Sequence, residues 1–180
     1  MKRRFIIGSR GSKLAILQAE EVLSKLGELN SGLDLDLVKI TTKGDRERNL
    51  PLDSLPGAGV FVKELEEALL DGRVDMAVHS LKDMPTEIPL GLSLAAVTER
   101  LDPRDVLVSR GKKLAELASG SRIGTGSPRR ALQLLNCRSD LEVQPIRGNV
   151  DTRLKKVSSG ELDGVILAAA GLIRLGWGTE

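Results

Sequence analysis

A hydroxyl, an ammonium group and a carboxylate follow one apolar run within a few residues. Residues 74–78 are short and mostly apolar, and Ser80, Lys82 and Asp83 come just after them. Such a run is typical of a buried parallel strand, and open α/β sheets bind ligands at the carboxyl ends of their strands. The spacing therefore predicts a functional site, although a solvated loop with a local Lys–Asp pair explains these residues equally well.

Three other predicted strand–turn–helix junctions combine a helix start with arginine, at residues 10–12, 127–130 and 147–153. Helix starts carry backbone N–H groups that suit an anion, and arginine binds carboxylates in a bidentate manner. Arg129 and Arg130 would lie in a first helical turn, where the helix dipole disfavours cations. We therefore expect an anion between them and a cleft for a polyanionic ligand.

Composition excludes several classes of function. The net charge is +2 and aromatic residues make up 2% of the chain, which disfavours nucleic-acid binding. No stretch approaches the ~20 apolar residues of a membrane span, and the basic N-terminus is followed by too short an apolar run for a signal peptide. With one cysteine, Cys137, no internal disulfide forms. We expect a cytoplasmic protein that binds no membrane.

No cluster of cysteine and histidine indicates a metal site. The glycines fit neither the phosphate-loop nor the dinucleotide-binding spacing. His79 is the only histidine, and we interpret it as structural, packed or orienting Lys82 and Asp83.

Hydrophobic periodicity predicts alternating strands and helices. Ser12, Ser127 and Asn149 are expected helix N-caps. The predicted strands are residues 5–9, 33–40, 74–78, 92–97, 105–109, 122–124, 142–146 and 164–168, and the predicted helices begin after the caps and at residues 61, 112 and 169.

Two polar segments divide this pattern. Residues 41–56 lack periodicity and are longer than a usual connection, so we expect a mobile functional loop. Residues 98–104 are turn-forming and are interpreted as a crossover, which predicts one α/β lobe at residues 1–98 and another at 99–180.

Six segments resemble the porphobilinogen deaminase (hydroxymethylbilane synthase) family, in the family's order and across essentially the whole chain. They are residues 9–15, 59–66, 77–83, 102–105, 123–130 and 147–154. The resemblance implies an α/β fold with two periplasmic-binding-protein-like (type II) lobes, mixed and mainly parallel sheets, and a cleft between the lobes. It also implies a transferase of tetrapyrrole biosynthesis that joins four porphobilinogen units into hydroxymethylbilane, with release of ammonia, on a covalently attached dipyrromethane.

Site residues follow from the same resemblance. Asp83 would be catalytic, by stabilising the cation that forms when ammonia leaves and by managing protons. The residues that would bind substrate and cofactor are Arg10, Ser12, Phe61, Ser80, Lys82, Thr125, Ser127, Arg129, Arg130, Arg147, Asn149, Arg153 and Arg174. The expected partners are porphobilinogen and linear pyrrole polycarboxylates.

This chain departs from the family pattern in several places. Ala58 stands where a lysine is common, and Gly126 and Pro128 replace the more usual Ser and Leu. The family's third domain, with its primer-bearing cysteine, has no counterpart here, and Cys137 does not match that cysteine's motif. We therefore expect the first two domains of a longer protein, inactive alone, monomeric or weakly self-associating.

A non-catalytic binding module for polycarboxylate ligands is the alternative. The missing signal peptide argues against a periplasmic receptor. The combination of Lys82 and Asp83 with the arginines favours the enzyme, because a simple anion receptor gains nothing from a carboxylate in its site.

Overall fold

The computed structural model describes residues 3–46 and 60–178. The chain forms two compact units, Met1–Glu99 and Arg100–Glu180, here called unit 1 and unit 2. Among the described residues, no helix is both long enough and apolar enough to cross a bilayer.

The sheet of unit 1 is parallel throughout its described strands. β1 (Arg3–Arg10) lies between β2 (Leu33–Ile40) and β3 (Met76–Ala77). The predicted strand at 74–78 is confirmed in a shorter form, and backbone hydrogen bonds from Asp75 and Val78 to β1 continue the pairing on each side. Because all three strands are parallel, the residues that follow β1 and β3 meet at one edge of the sheet.

In the described part of unit 1, three α-helices accompany this sheet: α1 (Lys13–Leu29), the single turn α2 (Lys43–Arg46) and α3 (Lys63–Leu70). α1 begins where predicted, because the Ser12 hydroxyl accepts a hydrogen bond from the Ala15 N–H. The buried apolar core of unit 1 is formed by Ile7, Ala19, Val62, Leu65, Ala68 and Val74.

Unit 2 has a mixed sheet in the order β4-β7-β5-β6. Its strands are β4 (Asp105–Ser109), β5 (Arg122–Gly124), β6 (Glu142–Gln144) and β7 (Gly164–Ala168). β5, β6 and β7 are parallel, whereas β4 runs antiparallel to β7 with Asp105 opposite Ala168. The start of β4 therefore lies at the edge where the parallel strands end.

α4 (Pro128–Cys137), α5 (Val150–Ser158) and α6 (Ala169–Arg174) complete unit 2. Alternate residues of its strands face two separate apolar clusters, as the pleat requires. Val106 and Val108 pack with α5 and α6, whereas Leu107 packs with α4. The sheet is thus covered on both faces.

The prediction of a strand at residues 92–97 was wrong. This segment has no regular secondary structure, and Leu94 and Val97 are exposed. A strand needs a neighbour for its backbone N–H and C=O groups, and no described strand pairs with this segment.

Two further elements are shorter than predicted. The helix at 112–118 is reduced to a 3₁₀ turn, Leu114–Glu116. Arg138 donates to the carbonyl oxygens of Leu114 and Leu117. In a continuing α-helix these carbonyls would instead accept hydrogen bonds from backbone N–H groups one turn later. The strand at 142–146 ends at Gln144 because Pro145 has no N–H to donate.

The segment at 41–56 is only partly a loop in the described residues. Thr42 is fully buried and is followed by α2, whose Gly44 is buried as well. Residues 47–59, including Ala58, lie outside the described part of the chain.

Candidate functional site

Arg10 is held in place at the carboxyl end of β1. Its Nε and Nη2 donate to the two carboxylate oxygens of Asp45, at 3.2 and 2.5 Å, and its guanidinium carbon lies 4.1 Å from the centroid of the Phe61 ring. The Thr42 hydroxyl also donates to Asp45, at 2.8 Å. Two segments of unit 1, residues 42–45 and the one that carries Phe61, thus fix one arginine.

The Asp45 carboxylate is ionised in this setting. Burial acts to raise its pKa, but hydrogen bonds from Arg10 and Thr42 outweigh burial and hold the pKa below the usual 3.8. The side chains of Arg10 and Asp45 are 20% and 16% exposed, so solvent screens this pair less than an open surface pair.

The predicted site after β3 forms a 3₁₀ turn, Leu81–Asp83, at the same edge of the sheet. The Ser80 hydroxyl donates to Gln18 Oε1 of α1 at 2.9 Å, and the Asp83 N–H donates to the Ser80 carbonyl at 2.9 Å. Asp83 is half-buried, and Lys82 is exposed. The Ser80–Gln18 contact therefore joins the start of this turn to α1.

His79 links this turn electrostatically to Arg10. Burial lowers the pKa of His79 below 6.5, and the nearby Arg10 lowers it further, whereas Asp83 opposes both effects. The structure thus brings Arg10 near His79 and Asp83, although Arg10 is distant from both in sequence.

In unit 2, an anion does lie between Arg129 and Arg130, and it is a side chain of the protein, the carboxylate of Asp105. Asp105 Oδ1 accepts from Arg130 Nε and Nη2 at 3.0 and 2.7 Å, and Oδ2 accepts from Arg129 Nη2 at 2.8 Å. Burial acts to raise the Asp105 pKa, but the two arginines outweigh burial and lower it. Sequence reasoning missed this role, although Asp105 lies in one of the recognised segments.

The loop before α4 is closely packed. Thr125 is buried and its hydroxyl accepts from the Ser127 N–H at 3.2 Å, and Ser127 Oγ caps α4 by accepting from the Arg130 N–H at 3.4 Å. A Cβ at Gly126 would lie 2.7 Å from the Ile146 carbonyl oxygen. The departure from the family pattern at Gly126 thus fits this backbone, which leaves no room for a side chain.

Arg147 and Arg153 lie near Arg130. The pKa of Arg153 is lowered, first by burial and then by the charges of Arg130 and Arg147. Arg153 Nε donates to the Gly148 carbonyl at 2.9 Å. The described structure therefore gathers guanidinium groups from the segments at the starts of α4 and α5.

Two predicted binding residues have local structural roles. Asn149 Oδ1 accepts from the N–H and the hydroxyl of Thr152, at 3.0 and 2.7 Å, and so caps α5. Arg174 is half-buried in the last turn of α6, where a cation interacts favourably with the helix dipole.

A separate concavity of about 340 Å³ lies in unit 2. None of the predicted site residues lines it. Its lining consists of Val108, Ser109, Arg110, Asp151, Leu154, Lys155, Val157, Ser158 and Trp177. Within residues 3–46 and 60–178, no group of three or more acidic, His or Cys side chains could hold a metal ion.

Comparison with solved structures supports the fold. The chain resembles the methionine-binding protein MetQ, with a TM-score of 0.54 and 17% identity over 96% of this chain and 73% of that one. It also resembles a periplasmic substrate-binding protein of an ABC transporter from Coxiella burnetii, with a TM-score of 0.51 and 19% identity over 96% and 74% of the two chains. The predicted α/β fold, of the periplasmic-binding-protein-like type II class with mainly parallel sheets, is confirmed.

Comparison with curated proteins gives much closer relatives. The porphobilinogen deaminase of Syntrophus aciditrophicus is 51% identical over 95% of this chain and 56% of its own length. That of Geobacter sulfurreducens is 53% identical over 97% and 55%, and that of Geobacillus kaustophilus is 51% identical over 99% and 58%. The chain thus spans a little over half the length of these relatives.

A family model described as "Porphobilinogen deaminase, dipyromethane cofactor binding domain" matches residues 5–180. The arginine cluster of unit 2 fits such a cofactor, because guanidinium groups bind carboxylates in a bidentate manner. With half its residues identical to named relatives and nearly its whole length matched, the chain belongs to the porphobilinogen deaminase family and contains its dipyrromethane cofactor-binding domain.

Proposed function

We propose that this chain provides the substrate- and cofactor-binding part of a cytoplasmic hydroxymethylbilane synthase, which joins four porphobilinogen units with release of ammonia. The observation that carries the proposal is the cluster of Arg130, Arg147 and Arg153. Their mutual repulsion helps to lower the pKa of Arg153, and a ligand that brings several carboxylates relieves such repulsion. Porphobilinogen carries an acetate and a propionate, so pyrrole oligomers are polycarboxylates that suit the cluster.

When bound, the dipyrromethane supplies the primer to which porphobilinogen units are added. In the proposal, Arg147, Arg153 and the Arg129–Arg130 pair hold carboxylates of the pyrrole chain. We do not assign the attachment point to Cys137, which is exposed at the end of α4. Seven residues of helix place it about 10 Å along the axis from Arg130, away from the arginines.

Asp83 is the proposed catalytic residue. Its half-buried carboxylate can accept hydrogen bonds from pyrrole N–H groups and stabilise the positive charge that develops as ammonia leaves. It can also take up and return protons during bond formation. Ser80, Lys82 and Arg10 are proposed to bind substrate beside it.

Carboxylate recognition is tested by calorimetric titration of the 180-residue chain with a dipyrromethane polycarboxylate. Arg147→Ala should weaken binding by roughly 1.5–3 kcal/mol, the value of a hydrogen bond to a charged group. Arg110→Ala is the matched control, since Arg110 is an exposed arginine paired with Asp163 in the same unit. An analogue without carboxylates that bound the wild type well would refute the proposal.

Catalysis is tested in a chimera that joins this chain to the remaining length of the Geobacter sulfurreducens relative. Asp83→Asn should lower turnover by at least ~10² with little change in Tm. A folded chimera that bound the polycarboxylate but released no ammonia would support the non-catalytic binding module instead.

The chain by itself should bind the polycarboxylate and form no hydroxymethylbilane. Its intact mass should equal the mass of the sequence, and Cys137 should react readily with an alkylating reagent. A dipyrromethane adduct on Cys137, or steady ammonia release that Cys137→Ser abolishes, would show that the short chain works alone.

A further inference from the structure

The contact between Asp105 and Arg130 uses a particular edge of the guanidinium group. Both Nε and Nη2 of Arg130 donate to Asp105 Oδ1, at 3.0 and 2.7 Å. Nη1, on the opposite side, donates to the Ile166 carbonyl at 3.4 Å. Asp105 therefore fixes the plane and direction of the guanidinium and leaves its Nη1–Nη2 end with one long protein contact among the described residues.

The same aspartate fixes a second arginine. Asp105 Oδ2 accepts from Arg129 Nη2 at 2.8 Å, and Arg129 Nη1 donates to Gln133 at 2.7 Å. Arg130 is 11% exposed, Asp105 25% and Arg129 60%. One carboxylate is therefore shared by two guanidinium groups. It neutralises only one of their two positive charges, so the surrounding cluster keeps an excess of positive charge.

Another arginine of unit 2 shows what a purely structural pair looks like. Arg138 donates through Nε and Nη2 to Asp140, each at 2.7 Å. Its Nη1 and Nη2 also donate to the carbonyls of Leu114 and Leu117, at 2.7 and 2.9 Å. The protein thus binds both ends of Arg138 with short hydrogen bonds, whereas the Nη1 of Arg130 makes one contact with the described residues, at 3.4 Å.

We propose that Asp105 is a positioning residue of the carboxylate-binding site, which aims Arg130 and steadies Arg129 for a ligand carboxylate. This inference rests on the proposed function. The opposing interpretation is that Asp105 competes with the ligand for the arginines. The two differ in sign, because removal of a competing negative charge strengthens anion binding, whereas loss of positioning weakens it.

The test compares wild type, Asp105→Asn and Asp140→Asn by titration of the full chain with a dipyrromethane polycarboxylate. Asp105→Asn should weaken binding about tenfold even though the site becomes more positive. Asp140→Asn, the matched control, should lower Tm and leave the affinity unchanged. NMR of arginine Nε–H groups should show the Arg130 signal altered only by Asp105→Asn, and the Arg138 signal altered only by Asp140→Asn.

Equal or tighter binding by Asp105→Asn, with the wild type binding normally, would overturn the inference and leave the proposed function standing. If the wild type failed to bind, the proposed function would fail and this inference with it. Asp105→Glu covers the case in which Asp105→Asn does not fold. It keeps the charge but moves it by one methylene, so it should bind more weakly than wild type, and wild-type affinity would overturn the inference.

Discussion

The two units hold their arginines in different ways. In unit 1, Arg10 donates to both carboxylate oxygens of Asp45 and stacks on Phe61. In unit 2, Arg129 and Arg130 share Asp105, with Arg147 and Arg153 nearby. Unit 1 therefore contains one arginine balanced by one carboxylate, beside the proposed catalytic turn, whereas unit 2 contains an excess of positive charge.

This difference predicts different roles for the arginines of the two units in ligand binding. Excess positive charge attracts a polyanion over a distance and is sensitive to salt. A neutral, preordered pair contributes little to that attraction but presents a guanidinium in one fixed direction. Under the proposed function, we infer that the arginines of unit 2 provide most of the affinity for the polycarboxylate.

The largest expected effect comes from disrupting the Arg10 site by overpacking. A Cβ at Gly44 would lie 2.2 Å from the Phe61 ring, so Gly44→Ala must displace that ring from Arg10. The free energy of unfolding, measured by urea titration, should fall by about 1–3 kcal/mol. Gly11→Ala is the control, because its Cβ meets nothing within 4 Å; an equal loss there would contradict the argument.

A smaller loss of stability is expected when the aspartate of either pair is replaced, and the two losses should differ. Asp45→Asn should cost about 2 kcal/mol of stability, and Asp105→Asn about 1 kcal/mol. Arg10 loses its carboxylate partner, whereas Arg130 keeps the Ile166 carbonyl and Arg129 keeps Gln133. Denaturant titration of both variants gives the order, and a larger loss for Asp105→Asn would reverse the comparison.

Acid should weaken both pairs. The pKa values of Asp45 and Asp105 lie below 3.8 in the folded chain. Their contribution to stability is therefore complete well above pH 3.8 and is lost as the pH falls through the folded pKa values. The double variant Asp45→Asn/Asp105→Asn should lose less stability than wild type between pH 5 and pH 3, and parallel curves would contradict the assignment.

The smallest effect concerns His79. Its pKa should lie below 6.5, so the unfolded chain binds the proton more readily and stability declines as the pH falls below 6.5. Asp83→Asn should lower the pKa further, by removing the charge that opposes burial. NMR titration of this single histidine measures the change; Asp71→Asn, an exposed carboxylate paired with Arg73 in the same unit, should leave it unchanged.

Sequence patterns predicted most elements but failed where a distant partner decides the outcome. The strands Leu33–Ile40, Asp105–Ser109, Arg122–Gly124 and Gly164–Ala168 have the predicted bounds. The predicted strand at 92–97 does not form, and the predicted helix at 112–118 is reduced to a 3₁₀ turn. The first lacks a described neighbour, and the carbonyls of the second are bound by Arg138.

The sequence by itself determined the three helix starts, because Ser12, Ser127 and Asn149 cap N–H groups only three residues away. Such contacts need no knowledge of the rest of the chain. Only the tertiary structure decided which aspartate meets which arginine: Asp45 lies 35 residues from Arg10, and Asp105 lies 25 from Arg130. The second contact exists because β4 runs antiparallel to β7, which brings the start of one strand to the edge where the others end.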